Sequence, residues 1–237
     1  MKNHTEILPD GTSFEMIFVE GGKQRLKGIN IFEDEERFLE IEVSDFYMAK
    51  FPVTQALWEA IMGNNPSAFQ GANRPVEKVS WEDAQVFLKK LNANLGLTED
   101  SPNRYRLPSE VIWQYAAMGG QQSKGFQYAG SHILKEVAWY GKNSHDETKS
   151  VGLKLANELG LHNMSGNVWE WCEDRWHEDF ENAPQDGSAW SEGESSTRVC
   201  RGGSWIYNFD YYCRVAYRNY YFSDFRDNVI GFRVTRY

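Results

Sequence analysis

Cysteine is scarce in this chain: Cys172, Cys200 and Cys213 are the only three in 237 residues. An odd, small number excludes a disulfide framework. No C-x-x-C or Cys/His spacing of a zinc site occurs either, and the thiols read as buried or half-buried free cysteines. Long apolar runs are lacking too. None approaches the ~20 residues that a membrane span needs, so direct membrane insertion is not expected. The N-terminal stretch MKNHTEILPDGTSFEMIFVEGG holds no continuous apolar region, so no signal peptide is visible. Positive charge is in deficit: 25 Lys and Arg stand against 34 Asp and Glu, a net charge of −9, with the basic residues dispersed. That argues against nucleic acid and against an anionic membrane as partners. Internal repeats, low-complexity segments and linker-like composition are absent.

What is present is material for a folded domain. Hydrophobic residues make up 41% of the chain and aromatics 15%, including nine Trp, which excludes intrinsic disorder. At this length a chain buries roughly 70% of its unfolded surface, enough for a core without metal or disulfide. Residues Phe14 to Gly22 read as a strand ending in a Gly turn, and Glu42 to Lys50 as another. The acidic stretch Phe32 to Ile41 between them reads as a loop leading into a strand. Thr54 is placed to cap a helix running to about Met62. Ser80 with Asp83 approximates a capping box, and Ala84, Phe87, Leu88 and Leu91 then make one apolar face, stopped by Gly96. Ser109 caps a third helix that ends at Gly119-Gly120. Beyond it the pattern predicts short strands and loops. The class expected is a loop-rich α+β fold with two to three helices and short mixed β-sheets, as a single domain over 1–237.

The C-terminal stretch 201–237 divides into two kinds of residue. Arg201 to Trp205, Cys213 to Ala216, Arg218, Arg226 and Ile230 to Val234 look like a frame. The gaps between them, Ile206 to Tyr212, Tyr217, Asn219 to Phe225 and Asp227 to Val229, hold only Tyr, Phe, Asn, Asp, Ser, Ile and Val. Every one of these residues is reachable from an Asn codon by changing its adenines alone. The mix suits a binding loop, where Tyr gives rigid amphipathic area and Asn and Ser give adaptable hydrogen bonds. The competing reading is an aromatic-rich pair of core strands. Against it, Asn and Asp recur in the gaps, and both are poor strand and core residues.

Several motifs occur in a fixed order: FYMAKFPVTQALWEAIMG, RPVEKVSWEDAQVFLKKLN, YRLPSEVIWQYAAMGG, GLHNMSGNVWEWCEDRW, CRGGSW and GFRV. In this order they resemble the formylglycine-generating-enzyme/sulfatase-modifying-factor family over about Phe14 to Val234. The resemblance implies a C-type-lectin-like fold with its ends close together. The family's enzymes carry two cysteines after the GGS-aromatic motif and bind copper there. Here Tyr207 stands at the first of those positions, and Cys213 is the only cysteine of the region. A lone Cys among Tyr, Asn and Asp does not suit Cu(I), so no copper and no catalytic site are expected. Within the family, the frame-and-gap division is most similar to the variable proteins of diversity-generating retroelements. Their lectin-like scaffold ends in a stretch rewritten at adenine positions.

That resemblance implies a hypervariable, receptor-like binding protein, surface-displayed or secreted. Its unknown ligand is expected to be a protein or another macromolecular surface. The contact residues implied are Ile206, Tyr207, Asn208, Asp210, Tyr211, Tyr217, Asn219, Tyr220, Tyr221, Phe222, Asp224, Phe225, Asp227 and Asn228, gathered exposed on one face. Trp205, Cys213, Val215, Ile230 and Phe232 are expected to be buried beneath. The alternatives are an oxygenase or sulfatase-activating enzyme of the same fold and a fixed accessory member, for example of an envelope assembly. The family also implies one structural Ca²⁺ site, on the side chains of Asn163 and Glu170 and the carbonyls of Gly166 and Val168. The other reading is that Asn163 and Glu170 bond turn backbone without metal.

Overall fold

The structure is a computed structural model, described over residues 2–29 and 36–237. The first strands come from short runs of alternating exposure. β1 (His4–Ile7) pairs antiparallel with β2 (Ser13–Val19). β3 (Gly22–Ile29) and β4 (Glu36–Val43) form a separate antiparallel ribbon. Of the expected acidic loop, residues 32–35 lie outside the described part, and Glu36 already belongs to β4. The single strand expected from Glu42 to Lys50 is two. β4 ends at Val43, and β5 (Phe46–Ala49) starts after Asp45, whose carboxylate accepts the Gly21 N–H at 2.9 Å. A side chain that bonds backbone competes with the ladder and breaks it.

The three helices expected are present where the caps placed them. Thr54 accepts the Leu57 N–H at the start of α1 (Gln55–Met62). Ser80 and Asp83 form a full capping box on α2 (Trp81–Asn94), which buries Ala84, Phe87, Leu88 and Leu91. After the short β6 (Tyr105–Arg106), Ser109 caps α3 (Glu110–Ala117), all eight residues of which are buried. A one-turn helix, α4 (Leu134–Val137), was not foreseen, because four residues carry no readable period.

The second half contributes β7 (Trp169–Arg175), β8 (Thr197–Arg201), β9 (Arg218–Phe222), β10 (Ile230–Phe232) and β11 (Thr235–Arg236). One sheet runs β1-β2-β5-β11-β6, so the two ends of the chain lie in the same sheet. A second runs β10-β7-β8-β9, with β10 parallel to β7 and the rest antiparallel. Trp169, Trp171 and Cys200 on one side of this sheet join the core made by α1 and α2. Cys172 and Val199 on the other side join the core around α3. The sheet is therefore buried on both faces at β7 and β8, and it surfaces at β9.

Candidate binding face

The frame residues are core. Trp205 is 5% exposed and donates its indole N–H to the Asn228 carbonyl at 2.8 Å. Cys213, Val215, Ile230 and Phe232 are buried as expected. Gly203 is required by the turn: its φ is +78°, and a Cβ there would lie 2.7 Å from Cys213 Sγ. Below the turn, Glu110 accepts two bonds from Arg218, at 2.6 and 2.8 Å, and faces Arg201 at 3.4 Å. Burial works to raise the Glu110 carboxyl, but Arg218 and then Arg201 outweigh it and hold it below the usual range. This buried charge cluster ties α3 to β8 and β9, which carry the frame.

The gap residues lie on the outside. Ile206, Asn208, Phe209, Asp210, Tyr220, Phe222 and Asp224 are exposed, and Phe209 and Phe222 present 64% and 62% of their surface. Tyr207, Tyr211, Asn219, Tyr221, Phe225, Asp227 and Asn228 are half-buried. Ring contacts join Phe209, Tyr211, Tyr212 and Tyr207 in one series, and Tyr221 and Phe225 in a second pair. The Tyr211–Tyr212 and Tyr207–Tyr212 centroids are 4.3 Å apart, and Tyr221 stacks on Phe225 at 4.3 Å. Tyr207 and Tyr221 bring their hydroxyls to 3.2 Å, which links the series to the pair. The hydrogen bond to Tyr211, with burial, pushes the Tyr212 phenol up to about 12.

Two expectations need correction. Tyr217, expected as a contact residue, is buried against Trp169 and Tyr212, and burial drives its phenol well above the usual range. It supports the aromatic face from below. Nor do the β9 residues share one face. Asn219 and Tyr221 lie on the Trp171 side, while Tyr220 lies on the other, its ring 4.5 Å from Trp176. Alternation along a strand forces this split. Phe209 and Tyr212 join the face as gap residues that had not been singled out, and gap membership alone could have found them. Trp176 lies far away in sequence, and nothing in the chain signals its role.

The calcium ligands expected from the resemblance do not fit a cation cage. Glu170 is fully buried and bidentate to Arg233, at 2.7 and 2.8 Å, and it also accepts the Trp113 indole N–H at 2.7 Å. Three of its roughly four lone-pair directions are taken, and a guanidinium already balances its charge. Arg233 reaches on to the His162 carbonyl at 2.8 Å, beside Asn163. Asn163 itself accepts the Gly152 N–H at 3.2 Å, and its Nδ2 has no partner. Gly166 donates its N–H to the Gly202 carbonyl at 2.7 Å, and Val168 is buried. Among the described residues no group of three or more His, Cys, Asp and Glu converges as a metal site. The Glu170–Arg233 pair ties β7 to the C-terminal segment after β10.

At the position of the family's copper site, Tyr207 packs on Trp169 at 5.8 Å, and burial raises the Cys213 thiol to about 12. Away from the gap residues, a groove of about 950 Å³ lies between α2 and residues 186–189. It is lined by Leu88, Leu97, Leu107 and Ile112, with Arg106 and Glu173.

Fold and motifs together define a sulfatase-modifying-factor-type domain whose C-terminal frame carries an aromatic surface. The chain belongs to the family described as the Sulfatase-modifying factor enzyme 1-like domain, which matches residues 4–237. It is 34% identical to "Chaperone protein LppX" of Paenibacillus barcinonensis, over 82% of this chain and 79% of that protein. It is 32% identical to the formylglycine-generating enzyme of Streptomyces coelicolor over 76% of this chain, but spans only 58% of that enzyme's length. Among solved structures, "Treponema denticola variable protein 1" superposes with a TM-score of 0.86 at 28% identity, covering 99% of this chain and 98% of the other. The C-type-lectin-like expectation for the fold thus holds. No helix among the described residues is long and apolar enough to cross a membrane.

Proposed function

We propose that this protein is a ligand-binding display scaffold, the product of a diversity-generating retroelement, in which the gap residues are rewritten and the frame is constant. One observation carries the reading. Of all the gap residues, only Tyr217 and Val229 are buried, whereas the frame between them is core throughout except for Arg214 and Arg226. Exposed side chains such as Phe209 and Phe222 are ones a scaffold can vary, while Tyr207, Tyr211, Tyr212, Tyr221 and Phe225 also rest on the core. The likeness to a protein named a variable protein supports the reading, and the likeness to one named a chaperone agrees with a macromolecular partner. Such a protein would be secreted or displayed at a surface.

The enzymatic alternative draws on the formylglycine-generating relatives. Here the first thiol position is a tyrosine, and Cys213 is buried with its thiol strongly protonated. A thiolate is the metal ligand and nucleophile, and this environment disfavours it. Incubation with a cysteine-containing sulfatase peptide, copper and oxygen is expected to give no formylglycine by mass spectrometry. Turnover above a no-enzyme control would overturn the binding reading.

A further inference from the structure

We infer that the outer edge of β9 is a strand-pairing site, and that its partner is an extended protein segment bearing Arg or Lys side chains. The backbone geometry comes first. The Ser223 N–H bonds the Ser196 carbonyl at 3.1 Å, so Ser196 and Ser223 are a hydrogen-bonded pair of the β8–β9 ladder. In an antiparallel ladder such pairs alternate with non-bonded ones. Arg198–Tyr221 and Cys200–Asn219 are therefore bonded pairs, while Thr197–Phe222, Val199–Tyr220 and Arg201–Arg218 are not. The N–H and C=O groups of Arg218, Tyr220 and Phe222 consequently point away from β8. β9 is the last strand of its sheet; the Phe222 C=O is turned back to the Phe225 N–H at 3.0 Å, and the other outward groups take no backbone bond among the described residues.

Exposed edges are ordinarily blunted by Pro, by Lys or by a bulge. β9 reads Arg-Asn-Tyr-Tyr-Phe, its register with β8 is regular, and its one cation is turned inward to Glu110. Exposed Tyr220 and Phe222 lie on one side of the edge and the Tyr221–Phe225 stack on the other. An added strand would thus gain main-chain bonds from the edge and side-chain contacts from residues that vary.

Charge selects the partner. Residues 176–195 contain Glu178, Asp179, Glu181, Asp186, Glu192 and Glu194, and no Lys or Arg. Its first part, Trp176 to Phe180, lies against β9, whereas Asp186 lines the groove beside α2. Trp176 packs on Tyr220, and Phe180 lies 4.3 Å from the Arg218 guanidinium. Asp224 and Asp227 follow directly after the strand. Three neighbouring cations are committed: Arg226 to Asp83 at 2.6 Å, Arg198 to the Trp81 ring and the Glu173 carbonyl, and Arg175 to the Ser191 and Ser195 carbonyls; exposed Lys78 also lies close, its backbone N–H on the Asp227 carbonyl at 3.0 Å. An acidic rim around exposed Tyr and Phe rings favours guanidinium and ammonium groups, by ion pairing and by cation–π contact.

The side-chain half of this inference rests on the display reading; the edge itself does not. The test is selection of displayed random short peptides against the immobilised full chain, followed by binding measurements on variants. Peptides rich in Arg or Lys are expected. Tyr220→Pro and Phe222→Pro, which remove outward N–H groups that the fold does not use, should weaken them about tenfold more than Tyr220→Ala and Phe222→Ala do. Should the proline variants fail to fold, N-methylation along a selected peptide gives the same answer: loss of binding at every second residue supports the inference. A flat N-methyl profile, equal effects of Pro and Ala, peptides without basic enrichment, or no recovered peptide overturns it. Peptides that depend on Tyr207 and Phe209 but ignore the proline changes would sink strand pairing and leave the display reading standing. Peptides indifferent to all gap residues would sink both.

Discussion

If folding is independent of the variable surface, stability should separate sharply between Trp205 and Phe209. Trp205 sits 5% exposed, with Phe69 edge-on at 5.3 Å, and its indole N–H satisfies the Asn228 carbonyl at 2.8 Å. Trp205→Ala removes a buried aromatic side chain, leaves a cavity and orphans that acceptor. Buried Trp or Phe to Ala costs about 3–5 kcal/mol, and the lost partner adds to it. In a chain of this size each kcal/mol lowers Tm by about 2–4 °C, so a drop on the order of 10 °C follows. Phe209 is exposed and touches mainly the Tyr211 ring, at 5.7 Å, so Phe209→Ala should stay within about 0.5 kcal/mol. Tyr220→Ala falls between, through its contact with Trp176, at about 1 kcal/mol. Tyr221→Ala should cost more than Tyr220→Ala, since Tyr221 is half-buried and stacked on Phe225. Urea unfolding followed by Trp fluorescence measures all four. If Phe209→Ala costs as much as Trp205→Ala, the division into frame and surface is refuted.

Two further outcomes are expected. Because the Glu170 charge is balanced by Arg233, chelation with EDTA should leave Tm unchanged, as ligand removal lowers Tm only where the native state binds the ligand; a fall in Tm reversed by Ca²⁺ would reinstate a calcium site. Burial raises the Glu77 carboxyl from 4.5 to about 7, and its Oε2 has no partner. The folded state therefore holds that proton more tightly than the unfolded one, and this contribution is complete below about 4.5 and is lost as pH rises to about 7. Glu77→Gln should accordingly lose less Tm than the parent between those limits, and parallel Tm–pH curves would show the assignment to be wrong.

Much of the scaffold was legible because its signals are local. Thr54, Ser80 and Ser109 each announce a helix by what a hydroxyl does for free N–H groups. The exposure of most gap residues was legible through residue type, since Asn and Asp are poor core residues. What no single segment shows is non-local. Nothing in the sequence of Tyr217 separates it from Tyr220; Trp169 and Tyr212, brought together by the fold, bury one and not the other. Glu170 and Asn163 have the ligand types of a calcium site, but Arg233, 63 residues beyond Glu170, takes the carboxylate. The open edge of β9 depends on which strand comes last in the sheet, and the order β10-β7-β8-β9 is not written in any one segment.

The central claim, that a constant frame carries rewritten side chains, is tested most directly by deep sequencing of the coding region for residues 201–237 across a population of the source cells. The account predicts substitutions confined to the codons of Ile206 to Tyr212, Tyr217, Asn219 to Phe225 and Asp227 to Val229, matching adenines in a near-copy of the region close by. The codons of Arg201 to Trp205 and Ile230 to Val234 should be constant. A single invariant sequence with no such copy, or changes spread evenly over frame and gaps, would contradict it.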